Sequence, residues 1–63
     1  MDQTTSRLTN NIEDMRAAFL LKASDYFDNR VNENDKAADV LAMDMSILIK
    51  RGRAYKIAIQ KHR

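Results

Sequence analysis

Apolar residues recur every three or four positions along most of the chain, which is the spacing of one face of an α-helix. In the second half, a heptad-like rhythm is accompanied by another apolar line, formed by Val40, Met43 and Ile47. The pattern predicts two amphipathic helices, the second of them apolar around most of its circumference. The predicted core residues are Leu8, Ile12, Met15, Phe19, Ala23, Ala38, Leu41, Met45 and Leu48.

A polar segment separates the two patterns, and its asparagines favour turns and helix caps over helix interiors. The predicted boundaries are a helix at about 7–29, a turn at about 29–34 and a second helix at about 33–61. Asn32 is the predicted N-cap of the second helix. Asn10 with Glu13 resembles a capping box for the first helix, and Ser6 is an earlier alternative start.

Gly52 is the only glycine in the chain, and there is no proline. It occupies the next heptad position after Leu48, where it could end the helix, kink it or allow a close helix crossing. The stretch from Tyr55 to Ile59 also alternates like a strand, but no second segment resembles a partner strand. We therefore favour a continuing helix, with a third short helix as the alternative.

The predicted fold is all-α, a single domain over residues 1–63 that forms an antiparallel two-helix hairpin. A chain of 63 residues without cysteine builds only a small core and has no disulfide to support it. One hairpin partner cannot cover the broad apolar face of the second helix. We therefore expect a homodimer that forms a four-helix bundle, with a dimer interface of Val40, Leu41, Met45, Ile47 and Leu48.

Charge is unevenly distributed: residues 1–46 carry nine acidic and five basic side chains, whereas residues 47–63 carry six basic and no acidic ones. Hairpin geometry predicts that Glu13 and Asp14 approach the first three of these bases, Lys50, Arg51 and Arg53. Acidic residues crowd the predicted turn. Each hairpin is then acidic at the turn and basic at the termini, which favours an antiparallel dimer that weakens with salt.

The basic end is the candidate binding segment. A protein partner with an acidic surface is favoured over nucleic acid, because no recognition motif accompanies the bases. A membrane surface is disfavoured, since the segment has neither Trp nor Phe. The candidate partner or nucleic-acid contacts are Arg51, Arg53, Tyr55, Lys56, Lys61 and Arg63.

Catalytic chemistry has little support in the residues. The lone histidine, His62, lies near the chain end, where side chains are usually solvated, and the serines have no other candidate base. Zinc, calcium and phosphate-loop spacings are absent. We therefore expect a non-enzyme without metal, cofactor or small-molecule substrate. Neither a secretion signal nor an apolar run long enough to cross a bilayer is visible, so a cytoplasmic location is expected.

Length and build resemble the small early accessory proteins of lambdoid bacteriophages, which are short, helical and cysteine-free. The hairpin pattern from Leu8 to Ile59 also resembles the small plasmid proteins that dimerise into four-helix bundles and bind paired RNA. The phage resemblance implies a regulator of host or phage development that acts by binding a macromolecule. The plasmid resemblance is one of architecture, which does not determine function.

Overall fold

The computed structural model describes residues 3–62, which form two helices: α1 (Gln3–Val31) and α2 (Asp35–His62). The helices pack antiparallel along their full lengths, and the Cα atoms span 46 × 14 × 10 Å. The described residues contain no strand, so the segment from Tyr55 to Ile59 is helical. The predicted all-α hairpin is confirmed, and the four-helix bundle stays a prediction.

The centre of the contact between the helices is one heptad line on each helix, a row of residues separated by alternating steps of three and four. Every residue of both lines is buried or half-buried. Ala38, Leu48 and Ile59 are the three buried residues among those described. The line on α1 consists of Leu8, Ile12, Met15, Phe19, Lys22, Tyr26 and Asn29, and the line on α2 consists of Ala38, Leu41, Met45, Leu48, Gly52, Tyr55 and Ile59.

Besides adding Tyr26 and Asn29 to the predicted core, the α1 line contains Lys22 beside the predicted Ala23. Both residues are half-buried. The Nζ atom of Lys22 lies 3.3 Å from Oδ2 of Asp44 on α2. A lysine is tolerated in this line because its aliphatic stem covers apolar surface while its ammonium group reaches a carboxylate near solvent. The contact also defines the register, since residue 22 faces residue 44.

The turn is a Schellman motif, in which the last carbonyls of α1 accept hydrogen bonds from the residues that follow the helix. The Asn34 N–H donates to the Asn29 carbonyl at 2.7 Å, and the Glu33 N–H donates to the Arg30 carbonyl at 3.1 Å. Glu33 has a φ of 62°, the left-handed conformation that this position requires. Glycine usually occupies it, because a Cβ there costs roughly 1–2 kcal/mol.

The start of α2 differs from the prediction. Asn34 rather than Asn32 is the residue before the helix, and its carbonyl accepts the first helical hydrogen bond, from the Ala38 N–H at 3.0 Å. Asn32 instead donates its own N–H to the Asp28 carbonyl at 3.0 Å. The reason is that the Schellman motif extends the end of α1 through Asn32 and moves the start of α2 along the chain.

The start of α1 also differs, because Ser6 and Asn10 lie inside a helix that begins at Gln3. Leu8 and Thr9 are half-buried at the level where α2 places Ile59. Contact with the end of α2 therefore supports the first two turns of α1, and tertiary packing overrides the local preference of asparagine for a cap.

Candidate interaction surfaces

Gly52 lies within α2, which continues without interruption to His62. A Cβ built at Gly52 meets no atom within 4 Å, so a close helix crossing does not explain the glycine. The missing side chain instead leaves an open apolar groove of about 220 Å³ between the helices. The groove is lined by Ile12, Met15, Arg16, Phe19, Leu48, Ile49 and Gly52.

Two large exposed apolar side chains lie on the same side of the hairpin as this groove. Leu20 follows Arg16 by four residues, and Phe27 follows it by eleven, which is about three helical turns. Leu20 is 61% exposed and Phe27 is 66% exposed. Tyr26, the neighbour of Phe27, is half-buried in the α1 heptad line. We call this side the groove edge; it comprises Arg16, Leu20, Ala23 and Phe27 on α1 and Ala42 and Ile49 on α2.

The opposite side of the hairpin carries an ion pair near its middle as well as exposed apolar side chains. The Lys22–Asp44 pair borders a shallow depression there, together with Ile47 and Arg51. The side chains of Lys22 and Asp44 are 36% and 42% exposed, so solvent screens their attraction. We call this side the charged edge; it comprises Lys22, Asp44, Ile47 and Arg51, with Val40 one heptad before Ile47.

The five predicted dimer contacts fall into two groups. Leu41, Met45 and Leu48 belong to the α2 heptad line and are covered by α1 within one chain. Val40 and Ile47 are 59% and 45% exposed and lie on the charged edge. Within a folded hairpin, therefore, only Val40 and Ile47 of the five present a large part of their side chains to a second molecule.

The predicted neutralisation of the basic end by Glu13 and Asp14 is wrong. Within residues 3–62 the ion pairs are Lys22–Asp44 and Arg30–Asp35, the latter at 3.0 Å across the turn, where Arg30 also lies over the Tyr26 ring at 5.9 Å. The register set by the Lys22–Asp44 pair places residue 13 near the level of residue 53, the last of the three predicted bases. However, Glu13, Asp14 and the three bases are exposed, and none of them forms an ion pair with a described residue.

The basic residues encircle the end of α2 and do not form one strip. Successive helical residues are rotated by about 100°, so Arg51 and Arg53 point to different sides. Arg51 borders the depression on the charged edge, whereas Lys56 borders a second groove on the other edge, toward the chain ends. All three, and Lys61, are exposed, and none forms an ion pair with a described residue.

The other two predicted contacts of the basic end are Tyr55 and Arg63. Tyr55 is half-buried in the α2 heptad line, so its ring is partly covered by α1 and offers less surface for stacking than the prediction assumed. The predicted contact Arg63 lies outside the described residues.

Residues 3–62 contain no group of three or more His, Cys, Asp or Glu side chains placed to hold a metal ion. Neither helix in that range combines the length and the apolar character needed to cross a membrane.

Comparison with known proteins gives no further guide, because no family model, curated protein or solved structure matches the chain.

The groove was not predicted from the sequence, because the predictions for Gly52 concern the path of the backbone and not the space beside it. One signal was present: Gly52 replaces a large side chain at a heptad position, which leaves space wherever the helix continues. Ile49 lies four residues after Met45, and Phe27 lies four residues after Ala23, so each is one helical turn beyond a predicted core residue. Their contribution to one surface depends on how the two helices are aligned.

Proposed function

We propose that the chain is a small non-catalytic regulatory or adaptor protein that forms a homodimer and acts by binding another protein. The observation that supports this proposal is the amount of apolar surface left exposed. Exposed apolar side chains that share one side of a molecule, as Leu20, Phe27 and Ile49 share the groove edge, commonly mark a protein-binding site. The large apolar side chains with 45% exposure or more are Leu20, Leu21, Phe27, Val31, Val40, Met43, Ile47, Ile49 and Ile57.

Self-association is the simplest way to cover part of this surface. One chain buries only Ala38, Leu48 and Ile59 among the described residues, and the two large side chains of these three are each still 9% exposed. Such a core supplies little stability, and chains of this size usually gain the remainder from disulfides, a metal or a second chain. The sequence contains no cysteine, which leaves association as the natural source.

The charge distribution favours an antiparallel arrangement of the two copies. The described terminal end carries unpaired bases, among them Lys50, Arg53 and Lys56, whereas the turn end carries Asp28, Glu33 and other acids. Antiparallel copies place each basic end beside the partner's acidic turn, and salt screens that attraction.

Sedimentation equilibrium of the full chain at about 50 mM and about 500 mM salt tests both parts of this proposal. We expect a dimer whose dissociation constant increases at the higher salt concentration. A monomer at every concentration would contradict the homodimer. A dimer whose dissociation constant does not change with salt would contradict the antiparallel arrangement.

The regulatory part of the proposal is supported by the resemblance to phage accessory proteins and requires a protein partner. Capture with the tagged dimer from a bacterial lysate, followed by titration with the purified candidate, tests it. We expect saturable binding at a fixed stoichiometry. Failure to obtain any saturable protein partner would contradict this part and would favour the alternative below.

The alternative is a nucleic-acid-binding protein, favoured by the absence of ion pairs at Arg51, Arg53, Lys56 and Lys61 within the described residues. A mobility-shift assay at two salt concentrations tests it, since phosphate contacts weaken steeply with salt. The informative variant is R53Q/K56Q. The matched control is Lys36→Gln, which removes a base from the turn end. Salt-sensitive binding that only the double variant loses would support this alternative, and no binding at low salt would reject it.

A further inference from the structure

The groove edge has two features that fit each other across two copies of the chain, a projecting aromatic ring and an apolar recess. Phe27 is 66% exposed, and the groove left by Gly52 has a volume of about 220 Å³. An apolar cavity of about 150 Å³ is large enough to bind benzene. The groove is therefore large enough to bind a phenyl ring of a second molecule.

The spacing of the ring and the recess satisfies the requirement of a two-fold dimer. Phe27 lies eleven residues beyond Arg16, which lines the groove, and this separation is about 16 Å along the helix at 1.5 Å per residue. A two-fold axis halfway between them places each ring over the groove of the other copy, so that both contacts form together.

The residues at that midpoint suit close contact between two copies. The axis passes beside Leu20 and Ala23 on α1 and beside Ala42 and Ser46 on α2. Three of these four side chains are small, which allows the helix backbones to approach, and Leu20 is 61% exposed. The charged edge has no such centre, since the Lys22–Asp44 ion pair occupies the same level there.

Charge is complementary in the same arrangement. With α2 antiparallel to the partner's α2, Arg53 and Lys56 of one copy come to the level of Asp35 and Asp39 of the other. Arg53 follows Asp39 by fourteen residues, two heptads, so both lie on the same face of α2. These two bases form no ion pair within a single chain's described residues.

We propose that a second copy of this chain docks antiparallel on the groove edge, with the Phe27 ring of each copy seated over the Gly52 groove of the other. This inference rests on the proposed function, because it identifies the surface through which the proposed homodimer forms. Val40 and Ile47 on the charged edge then remain exposed in the dimer.

Two adjacent leucines provide a matched pair of variants for the test. Leu20 lies on the groove edge, whereas Leu21 is rotated about 100° further away from it and is 73% exposed. We expect Leu20→Asp and Phe27→Asp each to raise the dimer dissociation constant at least about 30-fold. Leu21→Asp should change it less than about threefold. Sedimentation equilibrium measures the constants, and circular dichroism checks that each variant keeps its helical content.

A cross-linking measurement keeps the test independent of variant stability. Because the chain contains no cysteine, a single introduced thiol is a specific probe. We expect Leu20→Cys to give a covalent dimer with a short thiol-reactive cross-linker, because the two thiols lie near the two-fold axis. Leu21→Cys should remain mostly single-chain.

The outcomes separate this inference from the function on which it rests. A wild-type chain that is monomeric at all concentrations overturns both the homodimer and the groove-edge interface. A wild-type dimer that Ile47→Asp dissociates and that Leu20→Asp and Phe27→Asp leave intact overturns the groove-edge interface alone. Cross-linking through Leu21→Cys in preference to Leu20→Cys has the same consequence.

Discussion

The charged edge and the groove edge are formed by the same two helices, but they expose different side chains. On the charged edge, Lys22 and Asp44 are joined at 3.3 Å and lie partly in water. On the groove edge, Gly52 leaves an apolar recess beside Arg16, and Ile49 remains 46% exposed. An exposed ion pair is satisfied by solvent, whereas an apolar recess gains free energy when another molecule fills it. This difference is the reason for placing the proposed dimer contact on the groove edge.

The largest loss of structure is expected from a substitution in the contact between the helices, because both edges depend on that contact. Leu48→Asp places a carboxylate at a side chain that is 9% exposed, and burying an unpaired charge costs more than a core of this size supplies. We expect loss of helical circular dichroism and of the dimer together. Leu41→Asp should act in the same direction.

Ile57→Asp is the control for this change, because Ile57 is 52% exposed on the outer side of α2. It should retain the helical signal. A stable helical monomer produced by Leu48→Asp would contradict the dependence of the bundle on this contact.

A smaller effect on stability is expected for Gly52→Ala, which changes the groove edge and leaves the charged edge as it is. Alanine favours a helix interior by about 1 kcal/mol relative to glycine, and the added Cβ meets no atom within 4 Å. We therefore expect Gly52→Ala to raise the free energy of unfolding of the hairpin by about 1 kcal/mol, measured by thermal unfolding in a Leu20→Asp background. The same methyl group occupies part of the groove, so it should weaken the dimer of the otherwise unchanged chain.

The control for Gly52→Ala is Glu33→Gly at the turn, which belongs to neither edge. It relieves the left-handed conformation at a φ of 62° and should stabilise the hairpin by up to about 1 kcal/mol. Because it leaves the groove unchanged, it should not weaken the dimer. Equal effects of the two variants on the dimer would contradict the role of the groove.

The smallest effect is expected at the charged edge. A double-mutant cycle with Lys22→Met and Asp44→Asn should give a coupling energy below about 1 kcal/mol, since both side chains are more than one third exposed. The coupling should decrease as salt is added. A coupling well above this range, or one that is insensitive to salt, would show that the charged edge is covered in the assembled protein.

Much of the hairpin could be predicted from the sequence, because its main signal is local. The heptad spacing of Ala38, Leu41, Met45 and Leu48 predicts one contact line, and the asparagines near residue 32 mark the turn. The exact caps could not be predicted. Asn32 and Asn34 have the same intrinsic preference, and the Schellman hydrogen bonds of the end of α1 decide between them.

The candidate surface depends on information that a single helix does not contain. Lys22 is accommodated in the contact line because its ammonium group reaches Asp44 on the other helix. The groove beside Gly52 exists because α2 stays helical beyond Gly52 and because Met15 and Phe19 of α1 lie opposite. The expected pairing of Glu13 with the basic end was wrong for a related reason. A shared level along two helices does not bring side chains together when they point away from the contact.

The sequence by itself determined the helical class, the position of the turn and the separation of acidic and basic ends, because periodicity and charge order are properties of the chain. Only the tertiary structure decided which apolar residues became core and which became surface. That choice depends on the rotation of each helix about its axis, which is set by packing against the other helix. Gly52 shows the difference most clearly: the sequence marks it as a weak point in a helix, whereas the packed hairpin makes it the floor of a groove.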